Sequence, residues 1–178
     1  MTKSTIKFKL PSGRQPVIVQ ILPALVRGGV ERGTVEMAKA IQTAGGHAVV
    51  ISNGGPLVRH IERCGGKHIA LPVHVKNPLR WPGLRRQLRT IFQTEGADVV
   101  HVRSRVPAWL ALSVAKSMGI ATISTVHSRF ISRSFLKRRY NAKLLDAGQV
   151  IAISDYVHGL ITSQYIGVED RLTVVHRG

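Results

Sequence analysis

Apolar residues along this chain fall into short β-branched runs. Between the runs, apolar positions recur every three or four residues. Val17–Leu22 (VIVQIL) is the first such run and predicts a buried strand. Gly28-Gly29 predicts a sharp loop, and a helical pattern starts at about Val30, with Thr34, Met37, Ala38, Ile41 and Ala44 on one face. Gly45-Gly46 stops it. His47–Ser52 predicts a second strand, the turn Asn53-Gly54-Gly55-Pro56 leads into a short helix ending near Cys64, and Lys67–Val73 predicts a third strand. After a proline-punctuated segment, 72–83, the positions Leu84, Leu88, Ile91 and Phe92 mark a helical stripe, with Arg85, Arg86 and Arg89 away from it.

The alternation continues through the strands Asp98–Val102, Ile120–Val126, Gln149–Ile153 and Leu172–Val175. Pro107–Met118 reads as an apolar helix ended by Gly119, and Ser154 is placed to cap a helix carrying Val157, Leu160 and Ile161. Short apolar strands alternating with helices predict an α/β fold: a Rossmann-like parallel sheet of about seven strands with helices on both faces. Residues 1–15 read as a basic lead-in and 16–178 as one domain.

In such a sheet, ligands bind beyond the carboxyl ends of the strands. The Gly28-Gly29 loop precedes a helix N-terminus, where free N–H groups and the helix dipole favour an anion, although such a loop also serves as a plain turn. Arg27, Glu31 and Arg32 flank it; Asn53, Gly54 and Gly55 follow the second strand. His101 lies in the end of the fourth strand, which is followed by Arg103, Ser104 and Arg105; His127, Ser128 and Arg129 follow the fifth, and Ser154 and Asp155 the sixth. The two loop glycines together with Arg103, Arg105 and Arg129 suit phosphate or sugar-phosphate.

The chain lacks GxGxxG after its first strand, a Walker loop and a GxSxG elbow, which disfavours nicotinamide or flavin binding, phosphate-loop NTPase activity and serine hydrolysis. No histidine cluster has metal-ligand spacing, although His101 and His127 follow neighbouring strands and can approach each other. Cys64 is the single cysteine, which fits a reducing compartment. No run is long enough to cross a bilayer, and MTKSTIKFKL carries no apolar core of a secretion signal.

Charge widens the picture. Twenty-six Lys and Arg against nine Asp and Glu give a net charge of +17 over 178 residues, which implies polyanionic partners. The segments 76–89 and 128–143 mix cations with Trp81, Phe130, Phe135 and Tyr140, a composition suited to an anionic membrane surface.

Five motifs in order resemble retaining glycosyltransferases of the GT-B fold, family 4. GGVER after the first strand resembles their GG-x-E-R opening, and DVVHVRSR and STVHSRF resemble their fourth and fifth strands. QVIAISDYVHGLI and RLTVVHRG resemble the segments that precede the crossing to a second domain. The resemblance spans about residues 17–178. It implies half of a GT-B fold: an N-terminal, acceptor-binding domain, with the donor-binding domain absent from this chain.

By that resemblance His127 matches a catalytic cleft histidine near the transferred sugar, while Gly28, Gly29, Glu31, Arg103, Ser104 and Arg129 are substrate-binding. Arg103 stands where the family often has a second histidine. No metal or cofactor is implied, the nucleotide sugar being a substrate. The expected partners are that donor and a glycan or glycolipid acceptor such as lipopolysaccharide core, with no nucleic acid. The expected location is cytoplasmic, peripheral on the inner face of the plasma membrane, and residues 1–178 alone are expected to be inactive. The alternative is a basic nucleic-acid-binding or non-catalytic anion-binding α/β domain. Against nucleic acid, no helix-turn-helix, zinc finger or RNA-binding sheet signature is present.

Overall fold

A computed structural model describes Leu10, residues 12–127 and residues 134–176. Its strands are β1 (Val17–Ile21), β2 (His47–Ser52), β3 (Lys67–Ala70), β4 (Val99–Val102), β5 (Ala121–Val126), β6 (Gln149–Ala152) and β7 (Leu172–Val174). The α-helices are α1 (Gly29–Thr43), α2 (Val58–Arg63), α3 (Trp81–Glu95), α4 (Arg105–Ser117), α5 (Phe135–Ala142) and α6 (Asp155–Thr162). All neighbouring strands pair in parallel, in the order β3-β2-β1-β4-β5-β6-β7. The order reverses between β1 and β4, the place where a doubly wound sheet opens a crevice. The chain is therefore an α/β, Rossmann-like domain of the kind that makes one half of a GT-B fold.

Element boundaries differ from expectation mainly at strand ends. β3 ends at Ala70 as the chain turns: Leu71 N–H still donates to the Ser52 carbonyl of β2 at 2.9 Å, but Val73 N–H turns back onto the Leu71 carbonyl at 2.8 Å, and Leu71 and Val73 are buried past the strand end. β4 begins one residue after Asp98, whose carboxylate accepts from Val17 N–H at 2.8 Å and from Arg14 at 2.6 Å, pinning the end of the basic lead-in. α4 starts at Arg105 instead of Pro107, with Pro107 inside the first turn, where a missing N–H costs nothing. Ser154 caps α6 as expected, its Oγ accepting from Val157 N–H at 3.2 Å.

The two faces of the sheet are unequally covered. α3, α4 and α6 bury Leu88, Phe92, Leu110, Leu112 and Ile161 against Val100, Val102, Val126, Val150 and Ala152 in one large core. On the opposite face, α1 and α2 bury Ala38, Ile41 and Ile61 against Ala48 and Val50 in a smaller one. Register places His101, Ile123, Gln149, Ile151 and Thr173 on the α1 face. Ile123 and Ile151 are only half-buried there and Gln149 and Thr173 are exposed, so no described helix covers β5–β7 on that side.

Candidate functional site

The loops after β1 and β2 are laced together at the sheet's carboxyl edge. Leu25 N–H donates to the Gly54 carbonyl at 2.8 Å, Asn53 N–H to Pro23 at 3.0 Å and Leu57 N–H to Leu25 at 3.0 Å. Gly55 has φ +140°, and a Cβ on it would overlap the Leu25 carbonyl, so only glycine closes this contact. Asn53, Gly54 and Gly55, read from sequence as strand-end candidates, thus brace the first loop.

That loop ends at Gly28, the N-cap of α1, with φ +150°. The Glu31 carboxylate folds back against the Gly28 Cα, where any β-carbon would strike it. A negative charge therefore already sits at the α1 N-terminus, in favourable alignment with the helix dipole. Gly28 and Gly29 are exposed on the surface beside it.

The concave site lies further along the edge. A cavity of about 290 Å³ opens beyond β4, β5 and β6, against the outward face of α1. His101 and Arg103 come from β4 and its end, Thr125 and His127 from β5 and its end, and Ile151 and Ile153 from β6. Gly33, Glu36, Met37 and Ala40 close it from α1; Val175 and His176 close it after β7. The structure thus brings together His127, Arg103 and His101. It leaves Gly28, Gly29, Glu31 and Ser104 outside this lining, along the rim of loops and helix starts. Arg129 lies outside the described residues.

Arg103 sits at the floor. It is buried, and its Nη1 donates to Gln20 Oε1 at 2.9 Å and to the Gly33 carbonyl at 3.2 Å. Gln20, fully buried in β1, donates in turn from Nε2 to the Thr34 carbonyl at 3.1 Å. A polar residue in an otherwise apolar strand is explained by this relay, which ties β4 to β1 and to the first turns of α1. The arginine has a structural duty as well as a place at the pocket.

His101 is also buried, with Nε2 and Thr125 Oγ1 hydrogen-bonded at 2.7 Å across β4 and β5. Burial, then the charges of Arg103 and His127, push its pKa down to about 3. The imidazole is therefore neutral at physiological pH and offers a fixed dipole, not a charge. Among the described residues, no group of three His, Cys, Asp or Glu side chains is placed to hold a metal ion.

Sequence reading missed Glu36, the one carboxylate in the lining, and assigned Met37 to the buried face of α1. Met37 is 39% exposed and faces the pocket. The repeat 33, 36, 37, 40 is a second helical stripe beside the buried positions Thr34, Ala38 and Ile41.

The family model described as Glycosyltransferase Family 4 matches residues 27–178. A solved glycosyltransferase from Rickettsia africae is 35% identical, with a TM-score of 0.77 over 92% of this chain and 43% of that one. Anabaena HepE in complex with UDP-glucose is 15% identical, with a TM-score of 0.73 over 91% of this chain and 44% of that one. The lipopolysaccharide outer core galactosyltransferase WaaB is 13% identical, with a TM-score of 0.69 over 92% of this chain and 46% of that one. The chain spans less than half the length of each of these three structures. Among curated proteins none matches it.

Proposed function

Because the chain belongs to glycosyltransferase family 4, we propose that it forms the acceptor-binding half of a two-domain enzyme that moves a hexosyl group from a nucleotide sugar to a glycan or lipid-linked acceptor. The observation that carries this reading is the meeting of His101, Arg103 and His127 on one cavity at the carboxyl edge of β4 and β5, beside the switch point of the sheet.

In this reading His127 stands next to the transferred sugar, where an imidazole can hold a sugar hydroxyl through the transition state. Arg103 gives the floor a fixed positive charge, which suits an anionic acceptor such as a phosphorylated lipopolysaccharide core. Glu36 and His176 at the rim supply hydrogen-bonding groups for acceptor hydroxyls. The Gly28-Gly29 loop, Glu31, Ser104 and Arg129 line the wider cleft against the donor half, which completes the nucleotide-sugar site. Transfer with retention needs no protein nucleophile in this half: cations and dipoles stabilise the leaving diphosphate while the acceptor attacks from the same face. The enzyme works in the cytoplasm, on an acceptor anchored in the membrane.

The test is sugar transfer by the two-domain protein, using radiolabelled UDP-sugars and a glycolipid extract as acceptor. His127→Ala is expected to lower kcat by about 100-fold or more with the melting temperature unchanged. Full activity of that variant, or efficient transfer by residues 1–178 alone, would overturn the reading.

A further inference from the structure

The two basic segments noted in the sequence, 76–89 and 128–143, lie about forty residues apart, and the fold joins the first to the described part of the second, residues 134–143. Trp109 of α4 is the joint. Its ring lies 6.0 Å from that of Trp81 at the start of α3 and 6.4 Å from that of Tyr140 near the end of α5, stacked at 16° on the latter. Trp109 Nε1 donates to the Tyr140 carbonyl at 3.3 Å, and Arg85 Nη2 donates to the Trp109 carbonyl at 2.9 Å. Arg85 and Lys143 lie over the rings of Trp81 and Trp109, at 5.7 and 5.4 Å. α3, α4 and α5 thereby present one continuous basic face, on the side of the sheet away from α1.

Two features of this face point to its partner. Residues 99–145 contain no Asp or Glu at all. Between α3 and α4 lies a groove of about 370 Å³ lined by Arg85, Arg86, Arg89, Ser113, Val114 and Ser117, with three guanidinium groups, two hydroxyls and no carboxylate. Large apolar side chains also stand in water on α5 and on the segments that flank these helices. Phe135 and Leu136, at the start of α5, are 75% and 76% exposed, directly before Lys137, Arg138 and Arg139. Leu79, two residues before Trp81, is 88% exposed. Ile166 is 99% exposed next to Tyr165, which donates from its hydroxyl to the Arg138 carbonyl at 3.2 Å.

We propose that the α3–α4–α5 face docks on an anionic phospholipid bilayer, with headgroup phosphates seated in the α3–α4 groove and Phe135, Leu136, Leu79 and Ile166 entering the headgroup boundary. Cations supply the long-range attraction, and the apolar side chains gain only where hydrocarbon is within reach. Leu79, Leu136 and Ile166 have no flat ring to stack on a single-stranded base. The proposal rests on the reading that the acceptor is lipid-anchored.

The test uses the whole chain and sedimentation with vesicles of phosphatidylcholine, alone or with about 30% phosphatidylglycerol. Binding to the anionic vesicles, weakened by salt, and no binding to the neutral ones is expected. Arg86→Gln with Arg139→Gln, and separately Phe135→Ser with Leu136→Ser, are each expected to weaken binding about tenfold or more at unchanged circular dichroism and melting temperature. Equal binding to both vesicle types, absence of binding, or binding that the Phe135→Ser and Leu136→Ser changes leave intact would overturn it. So would tighter binding to duplex DNA or RNA than to the vesicles. Transfer to a water-soluble acceptor by the two-domain protein reads the enzymatic assignment separately, so the two can fail independently.

Discussion

Arg103 and Gln20, eighty-three residues apart in the chain, meet at 2.9 Å beneath the pocket, both shut away from water. Neither makes sense alone. A glutamine in the first strand of a buried parallel sheet is costly, and so is an arginine at the end of the fourth. Together, with the Gly33 and Thr34 carbonyls, they satisfy one another and fix where α1 starts relative to β4.

Arg103→Met is accordingly expected to destabilise the domain by about 1–3 kcal/mol, because it strands the buried Gln20 Oε1. Urea unfolding followed by circular dichroism measures this. Gln20→Met combined with Arg103→Met is expected to cost less than the sum of the two single changes, since the pair acts as a unit.

His101 makes stability depend on pH. Its folded pKa lies near 3, well below the ordinary histidine value of 6.5. Above pH 6.5 both folded and unfolded forms are neutral, and the group has no effect. As pH falls from 6.5 toward 3, the unfolded chain takes up a proton that the folded one refuses, so stability is lost through that window. The wild type is expected to lose up to about 1.4 kcal/mol more per pH unit there than His101→Asn. Chemical denaturation at a series of pH values gives the slopes, and an unchanged His101 ring resonance between pH 8 and 5 checks the cause.

The glycines after β2 should separate cleanly. Gly54 has φ +87° and open space around it, so Gly54→Ala is expected to cost about 1 kcal/mol from backbone strain alone. Gly55→Ala must also push the Leu25 carbonyl away and is expected to cost at least about 2 kcal/mol. Thermal melts of the two variants compare them directly, and equal costs would contradict the close approach of the two loops.

Trp109→Leu removes both ring contacts and the indole donor. A loss of about 1–3 kcal/mol is expected. α5 should become the first site of proteolytic cutting, because Trp109 is what ties Tyr140 to the rest of the layer. Limited trypsin digestion, with Arg138 and Arg139 as the readout, tests it.

The strands were legible because parallel strands buried on both faces read as unbroken apolar runs, and β2 shows this from Ala48 to Ile51. Their ends were less so. Leu71 and Val73 are buried like strand residues, yet the chain leaves the ladder there, with Val73 N–H donating back to the Leu71 carbonyl. Within the site, His101 and His127 could be placed because strand ends share an edge in this topology. Glu36 and Met37 could not. They stand on a helix, and which strands a helix leans over is a three-dimensional fact with no linear spacing. The burial of Arg103 was hidden for a related reason: its partner Gln20 sits in a different βα unit. The joining of segments 76–89 and 128–143 depended on Trp109, which lies in neither.

The uneven covering of the sheet has a consequence for how the domain breathes. Amides of β1 and β2 lie between two packed layers and are released to solvent only when the whole domain opens. Those of β6 and β7 are shielded, among the described residues, by helices on one side alone. Deuterium should therefore enter the β6–β7 side first, by partial openings that leave β1 and β2 intact. Ile151, Ile153 and Val175, on one wall of the pocket, belong to this early-exchanging region, whereas Arg103 and Gln20 are anchored in the late one. The cavity thus joins a stiff wall to a compliant wall, and its width is set by the compliant one.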